Sequence, residues 1–227
     1  MGKPTSGGAG GSGGRQRAAA EYTILSAPDW DVDFDINENY GQLNEPYKNF
    51  ATPRYANQLD EHGIARMRDV EIYEMDGMNV NYRLRNGELP KGKEDRREKI
   101  DRVIASLDAI ARPIDTNLVV YRGSSVRGIR EQFDKGTLNG TIINDKGFIS
   151  TSTNKSIATI FQRSSQKKGK VDAAAFNIRI PKGTSVVYAN PNGSYQQNEI
   201  IINRGSSLRI TGSRIENGVF VIDAEVV

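Results

Sequence analysis

The hydrophobic period of this chain changes at Pro113, and no other feature limits its fold as much. Upstream, Ile100, Val103, Ile104, Leu107, Ile110 and Ala111 recur at the spacing of one helical face, which predicts a helix over 94–111 whose stripe is core. Before it, Ile64, Met67, Val70 and Tyr73 are spaced by three, so the stretch 47–75 reads as helical. Asp76-Gly77 breaks that pattern, and a short helix over 80–85 ends at Asn86-Gly87. Downstream the period drops to two. Phe176, Ile178 and Ile180 alternate with Asn177 and Arg179, the pattern of a half-buried strand. Short strands are predicted at 118–122, 147–152, 174–180, 185–188, 199–203, 207–210 and 219–227. Helices first and strands afterwards give an α+β domain.

A chain of 227 residues has room for one ordinary domain and a tail. Residues 1–20 are rich in Gly and Ser and nearly devoid of large apolar groups, so a flexible tail is expected there. Residues 21–55 read as an irregular N-terminal arm and 56–227 as the folded domain. Within the arm, Asp31, Asp33 and Asp35 alternate as at the start of a calcium loop. The sixth and twelfth positions hold Ile36 and Gln42, where that loop needs Gly and Glu, so the stretch reads as solvated acid.

Composition removes several chemistries. The absence of cysteine excludes disulfides, thiolate metal sites and cysteine nucleophiles. The single histidine, His62, cannot build a His-rich metal site and reads as a surface residue, so no metal is called for. A net charge of +3 permits an acidic partner without requiring nucleic acid or a membrane. No apolar run approaches the roughly 20 residues of a membrane span. The basic N-terminus lacks the apolar segment of a signal peptide, which leaves localisation open.

Three strand-associated motifs stand in order along the second half. Tyr121-Arg122-Gly123 closes the first strand, Phe148-Ile149-Ser150-Thr151-Ser152 fills another, and Gln197-Asn198-Glu199 opens a later one ahead of Ile200-Ile201-Ile202. Strand side chains alternate faces, so Gln197 and Glu199 are expected to project on one side. Singly, each motif is ordinary strand chemistry; the ordered set is far more specific.

Together they resemble the mono-ADP-ribosyltransferase toxin family, in its Arg/Ser-Thr-Ser/Gln-x-Glu class, and are similar to the Rho-modifying clostridial exoenzymes. The resemblance runs from about Ile64 to the C-terminus. It includes Asn81-Tyr82-Arg83-Leu84-Arg85, Ile180-Pro181-Lys182-Gly183-Thr184 and Ile202-Asn203-Arg204-Gly205-Ser206. It implies N-terminal helices packed on a two-sheet β core, with 56–227 as the catalytic domain. It also implies transfer of ADP-ribose from NAD, a substrate rather than a bound cofactor, with release of nicotinamide. On this resemblance Glu199 stabilises the ribose, Ser150 orients Glu199, and Thr151 and Ser152 support the site. Arg122, Gly123, Asn81 and Arg85 contact NAD, Phe161 stacks on nicotinamide, and Arg163 reaches the pyrophosphate. Tyr195 and Gln197 recognise the acceptor; Tyr195 lies closer to Gln197, and Phe161 farther from Ser152, than in the Rho-modifying enzymes.

These residue types suit the reaction. Breaking the nicotinamide–ribose bond builds positive charge on the sugar, which a held carboxylate stabilises. An arginine gives a forked, permanent cation for phosphates. Gln197 is neutral; an acidic residue there would suit an arginine acceptor, whereas an amide better suits hydrogen bonding to another amide or to a base edge. The expected partner is a macromolecular target, a host protein in the first reading. A nucleic-acid base, plain NAD hydrolysis and a non-catalytic binding or structural module remain open. Secretion, injection or virion delivery into the cytoplasm of a target cell is expected by family analogy alone.

Overall fold

The computed structural model describes residues 20–25, 36–59, 63–169, 172–192 and 197–227. The Gly/Ser-rich tail up to residue 19, the acidic triplet Asp31, Asp33 and Asp35, His62 and Tyr195 lie outside the described residues.

The helices are α1 (Ile36–Gln58), α2 (Gly63–Asn86), α3 (Arg97–Ile110, led in by a 3-10 turn over Glu94–Arg96), α4 (Ile129–Asp134) and α5 (Lys155–Lys167). The strands are β1 (Arg112–Pro113), β2 (Leu118–Ser125), β3 (Ile142–Asn144), β4 (Ile149–Ser152), β5 (Ala173–Ile180), β6 (Ser185–Tyr188), β7 (Glu199–Ile202), β8 (Ser207–Glu216) and β9 (Val219–Val226). Their order across the sheet is β1-β6-β7-β4-β2-β5-β9-β8-β3. All named pairs are antiparallel except β5 with β9. The two expected sheets are therefore hydrogen-bonded into one. A single residue pair between β2 and β4, Tyr121 opposite Ser152, joins the halves.

The helix expected from residue 47 starts earlier, at Ile36, within the arm expected to be irregular and despite Pro46 and Pro53, and α1 runs across the boundary at 56. Tyr47, Phe50, Ala51 and Tyr55 are buried at helical spacing, so tertiary packing overrides the two prolines. At its end the Gln58 side chain pairs with both backbone groups of Tyr188, accepting from the N–H at 2.8 Å and donating to the carbonyl at 2.5 Å. The Asp76-Gly77 break is a kink within α2, at Asp76 (φ −124°, ψ 16°), and not a full stop.

Alternation sorts the core. Ile200 and Ile202 of β7 join Leu118, Val120, Phe176, Ile178 and Ile222 beneath α1. Ile201, Val187 and Phe148 face Val70, Tyr73 and Val80 of α2 and Ile100, Val103, Leu107 and Ile110 of α3. Asp69, buried on α2, binds Arg102 at 3.0 Å and Ser106 at 2.6 Å and fastens the two helices. On another face of the sheet α5 covers Tyr121, Ala175 and Val221.

Candidate active site

The register brings the motifs together before any side chain is considered. Ser152 stands opposite Glu199 and Ser150 opposite Ile201 on the β4–β7 pair, so the Ser-Thr-Ser run and the glutamate share one ladder. Directly opposed residues of an antiparallel pair project on the same side. Ser152 and Tyr121 are likewise opposed, which sets Tyr121-Arg122-Gly123 beside them; this motif lies within β2, which runs on to Ser125, and does not close the strand as expected.

A cavity of about 370 Å³ opens at this junction. It is lined by ten of the residues expected in the site: Asn81, Arg85, Arg122, Gly123, Ser150, Thr151, Ser152, Phe161, Gln197 and Glu199. A second cavity of about 480 Å³ shares Arg85 and Arg122 with it and continues to Ser124, Ser125 and Lys146. Arg163 does not line the first cavity. It follows Phe161 by two on α5, and residues two apart on a helix face away from each other. Its Nη2 is buried without a hydrogen-bond partner among the described residues.

Glu199 is buried, and its Oε2 has no hydrogen-bond partner among the described residues. Burial pushes its carboxyl up to about 7, against a hydrogen bond from Ser150 and the Arg122 charge. Behind Ser150 stands a relay. Asn81 Nδ2 donates to the Tyr73 hydroxyl at 3.1 Å, which lies 2.8 Å from Ser150 Oγ. Because the first and last bonds fix their donors, the Tyr73 proton points to Ser150, and every donor in the chain is directed toward Glu199. The Asn81 Oδ1 accepts from the Phe148 N–H at 2.8 Å, so both ends of that amide are committed. A Cβ on Gly147 would sit 2.5 Å from the same Oδ1, which is why a glycine stands there.

Gln197 reaches the cavity by a route other than strand alternation. β7 begins only at Glu199, and Asn198 between them is left-handed, with φ 51°. Ser152 Oγ donates to the Gln197 carbonyl at 2.7 Å and the Thr153 N–H to the Asn198 carbonyl at 3.0 Å, so β4 holds the turn that aims Gln197. Thr151 Oγ1 donates to the Ile200 carbonyl at 2.5 Å.

The cationic side is also built. Arg122 Nη1 donates to the Ser150 carbonyl at 2.6 Å, and burial lowers the affinity of the guanidinium for its proton. Arg85 forks onto Asp145 at 2.8 and 2.7 Å, so its cation enters the site already paired. Gly123 is required by packing. A Cβ there would collide with the Ala158 carbonyl and the Gln162 N–H, so only glycine lets α5 lie close enough to bring Phe161 to the rim. Phe161 is 47% exposed there. Asn154 caps α5 by accepting from the Ser156 N–H at 2.9 Å.

Three contributors carry no catalytic signal in the sequence. Tyr73 has only the spacing of helix core. Tyr47 places its hydroxyl on the carbonyls of Glu199 (2.7 Å) and Ala189 (2.9 Å), anchoring the backbone of the catalytic turn from α1. Glu74 of α2 adds a second carboxyl to the cavity. Burial, and then repulsion from Glu199 and Glu71, pushes that carboxyl up to about 8. Only long-range packing brings these three to the strands.

Against this geometry, a family model described as ADP-ribosyltransferase exoenzyme matches residues 47–226. The chain belongs to that family. It is an NAD-dependent mono-ADP-ribosyltransferase, with NAD as its substrate. Solved structures share the fold at low identity. Plx2a, an ADP-ribosyltransferase toxin from Paenibacillus larvae, is 21% identical with a TM-score of 0.59, the match covering 81% of this chain and 96% of that one. The C3 exoenzyme of Clostridium limosum is 17% identical with a TM-score of 0.55, covering 81% and 94%. BECa, an ADP-ribosylating toxin of C. perfringens solved with NADH, is 19% identical with a TM-score of 0.62; the match covers 80% of this chain but 48% of BECa. Curated proteins give no significant match. Among the described residues no group of three His, Asp or Glu side chains is placed to hold a metal ion, and no helix is long and apolar enough to cross a membrane.

Proposed function

We propose that this transferase moves ADP-ribose from NAD to a protein side chain, an Asn or Gln amide or a hydroxyl, and releases nicotinamide. The observation that carries this reading is that neutral Gln197 and buried Glu199, with its unbonded Oε2, line one cavity. An unbonded buried carboxylate oxygen is costly unless a ligand completes it. The ribose hydroxyl is such a ligand, and the positive charge that develops on the sugar as nicotinamide leaves favours the ionised carboxylate. The Asn81–Tyr73–Ser150 relay orients Glu199 for this role. Arg85 and Arg122, shared by the two adjoining cavities, sit where an anionic pyrophosphate would bridge them. Phe161 offers a ring face at the rim for the nicotinamide. Gln197 hydrogen-bonds the acceptor and adds no charge. Such an enzyme endangers the cell that makes it, which supports action in a different, target cell.

Labelled NAD and whole-cell lysate test the reading. Gln197→Ala keeps nicotinamide release within about threefold, whereas transfer to macromolecules falls by about 10²-fold, the scale of a misplaced reactant. A parallel fall of both would show that Gln197 does not serve the acceptor. Label removed by nuclease rather than protease would move the acceptor to a nucleic-acid base.

A further inference from the structure

We propose that Glu74 is a catalytic residue of the acceptor half-reaction: its carboxylate takes the proton that the acceptor loses when it bonds to the ribose. This rests on the transferase reading above and adds the group that completes it. Six ionisable side chains among the described residues line the cavity: Tyr73, Glu74, Arg85, Tyr121, Arg122 and Glu199. Arg85 and Arg122 are cations and accept nothing. Tyr73 is bonded to Ser150 and Asn81 and pushed up to about 12 by burial, and Tyr121 is raised as well. Glu199 is committed to the ribose and to Ser150. Gln197, the residue best placed for the acceptor, is an amide with no basic atom. Glu74 remains, and it enters the cavity from α2, the helix that also carries Tyr73, Asn81 and Arg85.

The step balances without a further reactant. The acceptor N–H or O–H bonds to the ribose carbon, the nicotinamide–ribose bond breaks with its electron pair leaving on nicotinamide, and the acceptor proton passes to Glu74. Among the described residues, the ionisable groups that act on Glu74 are Glu71 on its own helix, Glu199 of β7, and Tyr47 and Tyr55 of α1; the cavity's cations, Arg85 and Arg122, are not among them. Burial first, and then repulsion from Glu199 and Glu71, make Glu74 hold a proton near neutrality, at about 8, which suits a base working near that pH. Water attacking the sugar can shed its proton to solvent. A side chain presented by a docked macromolecule, which excludes solvent, cannot.

The test is Glu74→Gln in the full chain, a change that keeps size and removes an ionisable, half-buried carboxyl. Transfer of label to lysate macromolecules falls by about 10²-fold, the usual contribution of a general base, and falls by more than nicotinamide release without acceptor, so the ratio of transfer to release drops. Affinity for NADH, read by calorimetry, stays unchanged and reports an intact NAD pocket. Wild-type transfer rises with pH through about 7, as Glu199 ionises, and on toward 8; the variant keeps the first part of that rise and loses the second. Unchanged transfer, an equal fall of transfer and release, or lost NADH affinity would each overturn the proposal, the last by making Glu74 a structural or binding group. Wild-type enzyme that releases nicotinamide but labels nothing overturns the macromolecular-transfer reading itself, before the variant is compared.

Discussion

On one face of β7, Ile200 and Ile202 meet Val120, Ile178 and Ile222 in a core of apolar side chains. On the other face of the same four-residue strand, Glu199 is also buried, among Ser150, Tyr73 and Glu74, with one oxygen unbonded among the described residues. Burying an isoleucine contributes about 1.5–3 kcal/mol. Burying an incompletely bonded carboxylate costs stability and is resisted by protonation. The strand is thus fixed by Ile200 and Ile202 on one face and by Ile201 beside the site on the other, and put to use by Glu199. The polar face can stay under-satisfied because its backbone is tied down elsewhere, by Tyr47 on the Glu199 carbonyl and Thr151 on the Ile200 carbonyl.

Ile200→Ala attacks the apolar face. It should lower unfolding stability by about 2–5 kcal/mol in denaturant titration, as large-to-small core changes do. NAD cleavage per folded molecule should stay near normal at low temperature. A loss below 1 kcal/mol, or a selective collapse of activity, would mean that the two faces are not separable.

Glu199→Gln attacks the other face and should invert the result. Transfer falls by about 10²-fold or more, the scale for one preorganised electrostatic group, equivalent to roughly 2.7 kcal/mol of barrier. Stability at neutral pH is kept or improved, because a neutral amide replaces a carboxyl that burial strains. Near-normal turnover would remove Glu199 from the chemistry.

The same contrast explains what could be read from the sequence. Alternation and helical stripes depend on the local chain, so β5, β6 and α3 were legible from residues such as Phe176, Ile178 and Leu107. The motif residues Arg122, Ser150 and Glu199 were legible because their order along the chain is specific, and ladder pairing does bring them together. α5 was missed: its buried face holds Ser156, Thr159 and Gln162 beside Ile157 and Ala158, so no apolar stripe announces it. Gln197 was placed beside Glu199 for the wrong reason, since a left-handed Asn198 and the Ser152 hydroxyl, not strand pleat, aim it. Glu74 and Tyr47 carry no local signal at all. Their roles depend on where α2 and α1 pack.

The smallest expected effect concerns pH and belongs wholly to the polar face. Glu199 and Glu74 are raised from an ordinary carboxylate value of 4.5 to about 7 and about 8. A carboxyl raised on folding makes the native state bind more protons than the unfolded state, so its stabilisation is complete below about 4.5. It is then lost progressively as pH rises, through about 7 for Glu199 and about 8 for Glu74. Asp145 is shifted the other way by Arg85 and the Gly147 N–H, and its contribution is lost only on acidification. Wild-type Tm should therefore decline between pH 5 and pH 8.5, a window these two carboxyls dominate. Glu74→Gln, which cannot ionise, should match wild type at pH 5 and exceed it at pH 8.5. Allowing for partial solvent screening of Glu74, the gap is roughly 1–2 kcal/mol, or about 2–8 °C in Tm for a domain of this size. The matched change Ile200→Ala should shift the whole Tm curve downward without altering its slope, since no proton is involved. Parallel curves for wild type and Glu74→Gln would mean that the carboxyl is solvated in the free enzyme, and the two faces of β7 would differ less than their burial implies.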